Sequence, residues 1–202
     1  MLALVAAQAG AFGGAAWAGS YLGPRLVAGH VPFHDGPRPV RLVRWPFALI
    51  GAAVGAASAH DLPWPHAVVL AVVIGLLAAC AAADLRSGLI PDACSLGALG
   101  LVLATSAFER TWAPLVNAAL VAAAFGIAAL VSRGRGMGWG DVKLAAVGGA
   151  LLGVFDATLA FALGSLVAYV VVRRAGTLRT PIAFGPYLAA ATAIALAFQR
   201  PL

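Results

Sequence analysis

Gly136-Met137-Gly138-Trp139-Gly140-Asp141-Val142-Lys143-Leu144 places one carboxylate behind three alternating glycines, where a polar loop enters an apolar helix. An Asp at the centre of a membrane helix costs about 2.5–3.5 kcal/mol on insertion scales, so such residues are functional candidates. Glycines have no side chain, which lets another backbone or a peptide substrate approach Asp141. An acid at the start of a helix also complements the helix dipole, so a purely structural role is an equal alternative.

The composition around this stretch is that of a membrane protein. Of 202 residues, 62% are hydrophobic and 10% are charged, and the mean hydropathy is +0.96. No soluble domain of this size needs so much apolar surface, and about 20 apolar residues cross a bilayer as a helix. We therefore expect an all-α polytopic membrane protein whose residues 1–202 form a single integral-membrane domain.

Eight apolar runs predict about eight transmembrane helices, at residues 2–19, 46–60, 65–83, 92–107, 113–132, 142–155, 157–172 and 181–199. The first run ends in Ala16-Trp17-Ala18-Gly19-Ser20, which resembles a signal-peptide cleavage site. No basic residue precedes that run and several follow it, so we expect a retained helix with its N-terminus outside. Residues 20–45 read as a long cytoplasmic loop rich in Gly and Pro. The sixth and seventh runs are nearly continuous, and the split between them is placed near Asp156.

Glycines four residues apart recur within these runs and favour close packing between helices. The pairs with this spacing that we expect at helix interfaces are Gly10 with Gly14, Gly51 with Gly55, and Gly149 with Gly153.

The basic residues support eight crossings with both termini outside. The cytoplasmic loops are then residues 20–45, 84–91, 133–141 and 173–180. Eleven of the 13 basic residues lie in these loops or at their flanks, namely Arg25, Arg38, Arg41, Arg44, Arg86, Arg133, Arg135, Lys143, Arg173, Arg174 and Arg179. Only Arg110 and Arg200 fall outside, as the positive-inside rule requires. The net charge of +6 and the pI near 10.4 therefore reflect membrane topology, and no nucleic-acid partner is expected.

The same topology places four acids at the cytoplasmic side: Asp35, Asp84, Asp92 and Asp141. Asp84 ends the third helix and Asp141 opens the sixth, so both lie at a similar depth. Two carboxylates that share a site cannot both ionise readily, so one stays protonated while the other acts as a base. A water between them can then attack a peptide carbonyl. From charge and spacing alone any two of the four acids could act, or all could be ordinary helix-end acids.

Three ordered segments resemble the type IV prepilin peptidase family. They are Asp84-Leu85-Arg86-Ser87-Gly88-Leu89-Ile90-Pro91-Asp92, Gly138-Trp139-Gly140-Asp141-Val142-Lys143-Leu144 and Pro181-Ile182-Ala183-Phe184-Gly185-Pro186-Tyr187. Gly19-Ser20-Tyr21-Leu22 resembles the N-terminal signature of that family more weakly. The resemblance covers a motif-bearing core at 84–187.

The resemblance implies an eight-helix intramembrane aspartic endopeptidase of the GxGD type in the cytoplasmic (inner) membrane. Such an enzyme cleaves the basic leader from pilin-like precursors at the cytoplasmic face. Carried over by motif, Asp84 and Asp141 are the catalytic pair. The implied partners are prepilin-like precursors and membrane lipids, and a homo-oligomer stays open.

The other motif residues allow two explanations each. Gly138 and Gly140 either make room for substrate or form a tight turn. Lys143 lies two positions after Asp141 and so points elsewhere on a helix, where it either extends to the interface or takes part in catalysis. Arg86 likewise lies two positions after Asp84, and the same two explanations apply to it.

Two further segments of the motifs concern helix boundaries. Phe184-Gly185-Pro186 interrupts the last apolar run and either shapes the site or kinks the helix. Pro91 and Asp92 read as the start of a helix, because Pro is tolerated in the first turn.

No metal site and no cofactor are expected. Cys80 and Cys94 lie in or beside apolar runs without CxxC spacing, so we interpret them as small buried residues. His30 and His34 stand in a loop rich in Gly and Pro, where solvated side chains are favoured over a metal pair. Bifunctional members of the resembled family carry paired CxxC motifs after the first helix and also N-methylate their product. The loop at 20–45 has no cysteine, so we expect the peptidase activity without methyl transfer.

Three alternatives remain. Another GxGD peptidase, of the signal-peptide-peptidase or presenilin type, would use a Pro-Ala-Leu stretch that Pro181-Ile182-Ala183 does not supply. A transporter or proton relay could use Asp84 and Asp141, although a relay favours acids at mid-membrane. An inactive scaffold is disfavoured by the intact acids and glycines of the motifs.

Overall fold

A computed structural model describes residues 2–28, 42–59, 62–133, 137–174 and 183–199. These ranges contain eight helices and no strand, which confirms the predicted all-α fold. The helices are α1 (Leu2–Leu26), α2 (Trp45–Ser58), α3 (Trp64–Ser87), α4 (Asp92–Phe108), α5 (Ala113–Val131), α6 (Trp139–Leu152), α7 (Val154–Arg174) and α8 (Gly185–Phe198). Several residues named above lie outside the described ranges, namely His30, His34, Asp35, Arg38, Arg41, Arg135, Gly136, Arg179, Pro181, Ile182 and Arg200.

Four helices, α1, α3, α5 and α7, are long and apolar enough to cross a membrane. The apolar helices α2, α4 and α8 are shorter, at 14 to 17 residues. Large apolar side chains cover the outer faces of α5 and α7, where Ile127, Leu130, Leu163 and Leu166 are all exposed. Such a continuous apolar surface is costly in water and is what a helix presents to lipid.

The closest helix contact in the bundle joins α1 to α3. A Cβ built on Gly19 would lie 1.9 Å from the carbonyl oxygen of Gly75, and one built on Gly23 would lie 2.0 Å from that of Ala79. The two helices run parallel with their backbones touching, as small residues four apart permit. The loop expected from residue 20 therefore begins later, because this contact keeps α1 helical to Leu26.

The predicted glycine interfaces are partly confirmed. Gly51 and Gly55 of α2 pack against the backbone of α1. The pair Gly10 and Gly14 was predicted wrongly, since a Cβ on either would meet no described atom within 4 Å. Gly149 packs against α5, where its Cβ would lie 2.9 Å from the Val121 side chain.

Gly153 separates α6 from α7, three residues before the predicted split. Its φ of 81° lies in the left-handed region that favours glycine. Asp156 instead stands in the first turn of α7, where an acid complements the helix dipole. The Gln199 side chain donates to the Leu152 carbonyl at 3.0 Å and to Asp156 Oδ2 at 3.2 Å, which fastens the end of α8 to this junction.

One end of the bundle holds the C-terminus of α3 and the N-termini of α6 and α8, and is here called the aspartate end. Because α1 runs parallel to α3, Leu26 also lies at this end. Among the residues described, seven of the eight Lys and Arg side chains occur here: Arg25, Arg44, Arg86, Arg133, Lys143, Arg173 and Arg174. The eighth, Arg110, lies at the opposite end.

Candidate functional site

Asp84 lies in the last turn of α3 and is buried, with 6% of its surface exposed. Gly88, at a φ of 69°, ends the helix and donates its N–H to the Asp84 carbonyl at 2.8 Å. The Asp84 side chain reaches a different element, because Oδ2 accepts a hydrogen bond from the Gly185 N–H at 2.8 Å. Gly185 is the first residue of α8. The first N–H groups of a helix have no partner inside it and complement an anion.

Phe184-Gly185-Pro186 starts α8, which corrects the expectation that it interrupts a helix. Phe184 precedes the helix, and Pro186 lies in its first turn, where a missing N–H costs nothing. Gly185 itself is tightly enclosed. A Cβ at this position would lie 3.0 Å from Asp84 Oδ2 and 3.0 Å from Ile90 Cδ1. The motif therefore brings a backbone donor against Asp84 where a side chain would crowd the carboxylate.

Asp141 is the third residue of α6 and is also buried, with 9% exposed. Its Oδ2 accepts a hydrogen bond from the Gly138 N–H at 3.2 Å. This contact closes the first turn of α6. It is the kind of contact expected if Asp141 has the purely structural role of an acid at a helix start. Gly138 is extended and exposed, so the backbone before Asp141 is accessible at the aspartate end.

Ile90 connects the surroundings of the two acids. A Cβ on Gly140, next to Asp141, would lie 3.0 Å from Ile90 Cβ and 3.2 Å from Ile90 Cδ1. The same Cδ1 is the atom that a Cβ on Gly185 would meet at 3.0 Å. One side chain thus fills the space between the glycine beside Asp141 and the glycine that contacts Asp84. The sequence analysis did not single out Ile90, although it lies within the first motif.

Lys143 forms an ion pair with Asp92. Its Nζ donates to Asp92 Oδ1 at 2.6 Å, and the side chains are 32% and 64% exposed, respectively. Asp92 begins α4, as predicted, so the pair joins the start of α4 to the start of α6. This partner was not among the two explanations given for Lys143, and the presence of both residues in the motifs was the only available signal.

The remaining candidates lie around this centre. Arg86 is exposed in the last turn of α3. Cys80 and Cys94 are buried free thiols, which confirms their interpretation as small core residues. Over the described part of the chain, no group of three His, Cys, Asp or Glu side chains is placed to hold a metal ion.

An apolar cavity of about 360 Å³ adjoins the site between α1, α2, α3 and α8. Its lining includes Leu85 and Pro186, the chain neighbours of Asp84 and Gly185. A larger groove of about 1080 Å³ follows the other side of α8 from Tyr187 to Gln199. Apolar space therefore lies on both sides of the helix whose N-terminus contacts Asp84.

Comparison with known proteins identifies the family. The profile of the type IV leader peptidase family matches residues 70–172, half of the chain, and this region includes both Asp84 and Asp141. The chain belongs to this family. The resemblance that its motifs suggested is confirmed.

Relatives of this leader peptidase family member are curated bacterial proteins. The chain is 31% identical to a prepilin leader peptidase/N-methyltransferase of Stutzerimonas stutzeri over an alignment of 171 residues, with coverage of 74% of this chain and 57% of that protein. It is 34% identical over 172 residues to the protein of that name in Pseudomonas putida, with 76% and 58% coverage. The matched region thus spans a little over half the length of these relatives. No solved structure matches the chain.

Proposed function

We propose that this chain is an aspartic endopeptidase that removes leader peptides from type IV prepilin-like precursors, with Asp84 and Asp141 as the catalytic pair. The observation that carries the proposal is the convergence of three separate motifs on Ile90. Ile90 belongs to the first motif and lies against Gly140 of the second and Gly185 of the third. This contact is at the end of the bundle that holds the two buried acids, Asp84 and Asp141. Membership of the leader peptidase family and the names of the relatives support the reaction type.

The chemistry needs the two acids in different protonation states. The ionised aspartate accepts a proton from water as the water oxygen bonds to the scissile carbonyl carbon. The protonated aspartate donates a hydrogen bond and then its proton to the carbonyl oxygen. As the tetrahedral intermediate collapses, one of its hydroxyl protons returns to the aspartate that had protonated the carbonyl oxygen. The C–N bond breaks, and the leaving amine takes up the proton from the acid that served as base, so both aspartates regain their starting protonation states. The products are a leader with a new carboxyl terminus and a mature protein with a new amino terminus.

The surroundings of the acids fit a peptide substrate. Any side chain at Gly185 would crowd Asp84, and any at Gly140 would crowd Ile90, so glycine keeps the approach narrow but unobstructed. The apolar cavity beside Leu85 and Pro186 suits an apolar residue of the precursor near the cleaved bond. A precursor with a leader in water and an apolar helix in the bilayer would present its cleavage point at this depth.

We further propose that the aspartate end faces the cytoplasm, with both termini on the other side. The excess of Lys and Arg among the described residues of that end supports this orientation, since cytoplasmic loops retain basic residues. The proposal covers peptidase activity. The paired CxxC motifs of bifunctional members do not occur in these 202 residues.

The position of the acids argues against a proton relay. Asp84 lies in the last turn of α3 and Asp141 in the first turn of α6. A relay across the bilayer favours ionisable groups near the centre of the membrane, facing an internal water path. Peptide cleavage at a membrane surface instead needs acids at the helix ends.

A cleavage assay in membranes tests the proposal. The chain is co-expressed with a tagged prepilin-like precursor from the same genome, and precursor and product are separated on a gel. Asp84→Asn and Asp141→Asn keep the side-chain shape but remove acid–base function, so each is expected to lower the rate by about 100-fold or more. Glu109→Gln, a change of an acid at the opposite end, is the matched control and retains activity.

The outcomes separate the alternatives. Cleavage that persists in either Asn variant removes that residue from the mechanism and directs attention to Asp92 or Asp35. Absence of cleavage by a folded, membrane-inserted wild-type protein contradicts the peptidase assignment and favours a relay or a scaffold.

A further inference from the structure

A cluster of two cations on one aromatic ring lies at the aspartate end, between α1 and α2. The Arg25 guanidinium carbon lies 3.8 Å from the centre of the Tyr21 ring, and Arg25 Nη2 donates to Tyr21 Oη. The Arg44 guanidinium carbon lies 4.8 Å from the centre of the same ring. Each guanidinium group is attracted by the negative face of the aromatic ring. Both guanidinium groups therefore lie against the same ring.

Nothing in the described part of the chain neutralises these charges. The ion pairs found there are His66 with Glu109 and Lys143 with Asp92, and neither involves the two arginines. Arg44 Nε is also buried without a hydrogen-bond partner. A buried donor left unpaired destabilises the fold. An anion bound beside both guanidinium groups would reduce the repulsion between them.

The cluster faces lipid rather than the interior of the bundle. Gly19 and Gly23 turn one face of α1 toward α3, whereas Tyr21 and Arg25 follow two residues later in each case and so lie on the opposite face. The large apolar residues around the cluster are exposed, namely Trp17, Leu22, Leu26, Val43 and Trp45. Exposed Trp and Tyr beside basic residues are typical of the membrane–water interface.

We propose that Tyr21, Arg25 and Arg44 bind the phosphate of an anionic phospholipid headgroup. Guanidinium groups bind phosphate oxygens through paired, charge-assisted hydrogen bonds, which a lysine cannot reproduce. Two cations with no acid paired to them among the described residues favour a headgroup of net negative charge over a zwitterionic one, whose ammonium group would meet a positive surface. The site is separate from Asp84 and Asp141, and the inference does not depend on the proposed peptidase reaction.

Native mass spectrometry of the whole protein, released from nanodiscs, tests the site. The nanodiscs contain equal amounts of phosphatidylglycerol and phosphatidylcholine. The wild type is expected to retain one phosphatidylglycerol, and Arg25→Gln/Arg44→Gln to lower its occupancy at least about tenfold. Arg173→Gln/Arg174→Gln removes the same charge at the same end and serves as the matched control, with occupancy unchanged.

Two further measurements keep the result unambiguous. Arg25→Lys/Arg44→Lys preserves the charge and is expected to lose most of the occupancy; retention at the wild-type level would overturn a guanidinium site. Inorganic phosphate at 10 mM is expected to leave the lipid bound; displacement would assign the site to free phosphate instead. Equal phosphatidylglycerol occupancy in the wild type and the double Gln variant would overturn the proposal.

Discussion

The Gly185 N–H donates a 2.8 Å hydrogen bond to Asp84 Oδ2 across 101 positions of sequence. The donor is the first backbone amide of α8, and the acceptor is a side chain in the last turn of α3. The geometry of the acid therefore depends on how two helix ends are placed relative to each other.

Gly185→Ala is expected to lower the cleavage rate by at least about tenfold while the protein still inserts and folds. The backbone donor survives, but the new Cβ lies 3.0 Å from Asp84 Oδ2 and from Ile90 Cδ1, so the carboxylate or the helix must shift. Displacement of a catalytic group by about 1 Å can cost about 100-fold. Gly10→Ala meets no described atom within 4 Å and is the matched control. Unchanged cleavage by Gly185→Ala would show that this geometry does not limit the reaction.

Ile90→Ala is expected to impair cleavage more than it impairs stability. Removing the side chain leaves space between Gly140 and Gly185, so α6, which bears Asp141, and α8, which contacts Asp84, lose their common contact. A large-to-small change of a well-packed Ile costs about 2–5 kcal/mol, and less at a partly exposed position. Cleavage rate and thermal midpoint are measured together. Ile127→Ala, on the exposed face of α5, should change neither the cleavage rate nor the thermal midpoint. If the cleavage rate of Ile90→Ala falls only as far as its folded fraction falls, the role of Ile90 is purely structural.

Lys143 and Asp92 are expected to act as a unit. Lys143→Met and Asp92→Asn each break the 2.6 Å ion pair and should lower the cleavage rate a few-fold, because the starts of α4 and α6 lose their connection. The double variant should be no slower than the slower single variant. Stability should change by less than about 1 kcal/mol, since both side chains are partly exposed. Additive losses in the double variant would mean that the two residues act independently.

Gly23→Ala is expected to disrupt the bundle itself. The added Cβ would lie 2.0 Å from the Ala79 carbonyl oxygen, so α1 must move away from α3. Overpacking of this kind costs about 1–3 kcal/mol or more. The measurement is the thermal midpoint and the yield of monodisperse protein in detergent. Gly14→Ala lies on an open face of the same helix and should behave as the wild type.

The apolar runs predicted the helices, and the motifs that resemble the family singled out Asp84 and Asp141, but neither predicted which helix faces touch. Gly10 with Gly14 and Gly19 with Gly23 have the same spacing on α1, yet only the second pair meets α3. Periodicity along one helix carries no information about the partner that covers a face. The apolar runs before and after Gly153 are continuous, and only its φ of 81° shows where the helix ends.

The contacts at the site could not be predicted from local sequence patterns either. Asp84 and Asp141 could be grouped because topology gave both the same depth. The Lys143–Asp92 pair spans 51 positions and the Gly185–Asp84 bond 101, so neither follows from neighbouring residues. Both depend on helix starts, at Asp92, Trp139 and Gly185, whose relative positions are set by packing across the whole bundle.

The hydrogen bond between α8 and Asp84 depends on where α8 lies in the bundle. A backbone amide is present in any residue except proline, so most substitutions at position 185 keep the donor, and its location is set by the position of α8. This helix has 14 residues and is therefore about 21 Å long, shorter than the roughly 30 Å hydrocarbon layer. A bilayer adapts to a short helix by thinning around it. We therefore expect the hydrogen bond between Gly185 and Asp84 to depend on the thickness of the surrounding bilayer, through the height at which this short helix settles.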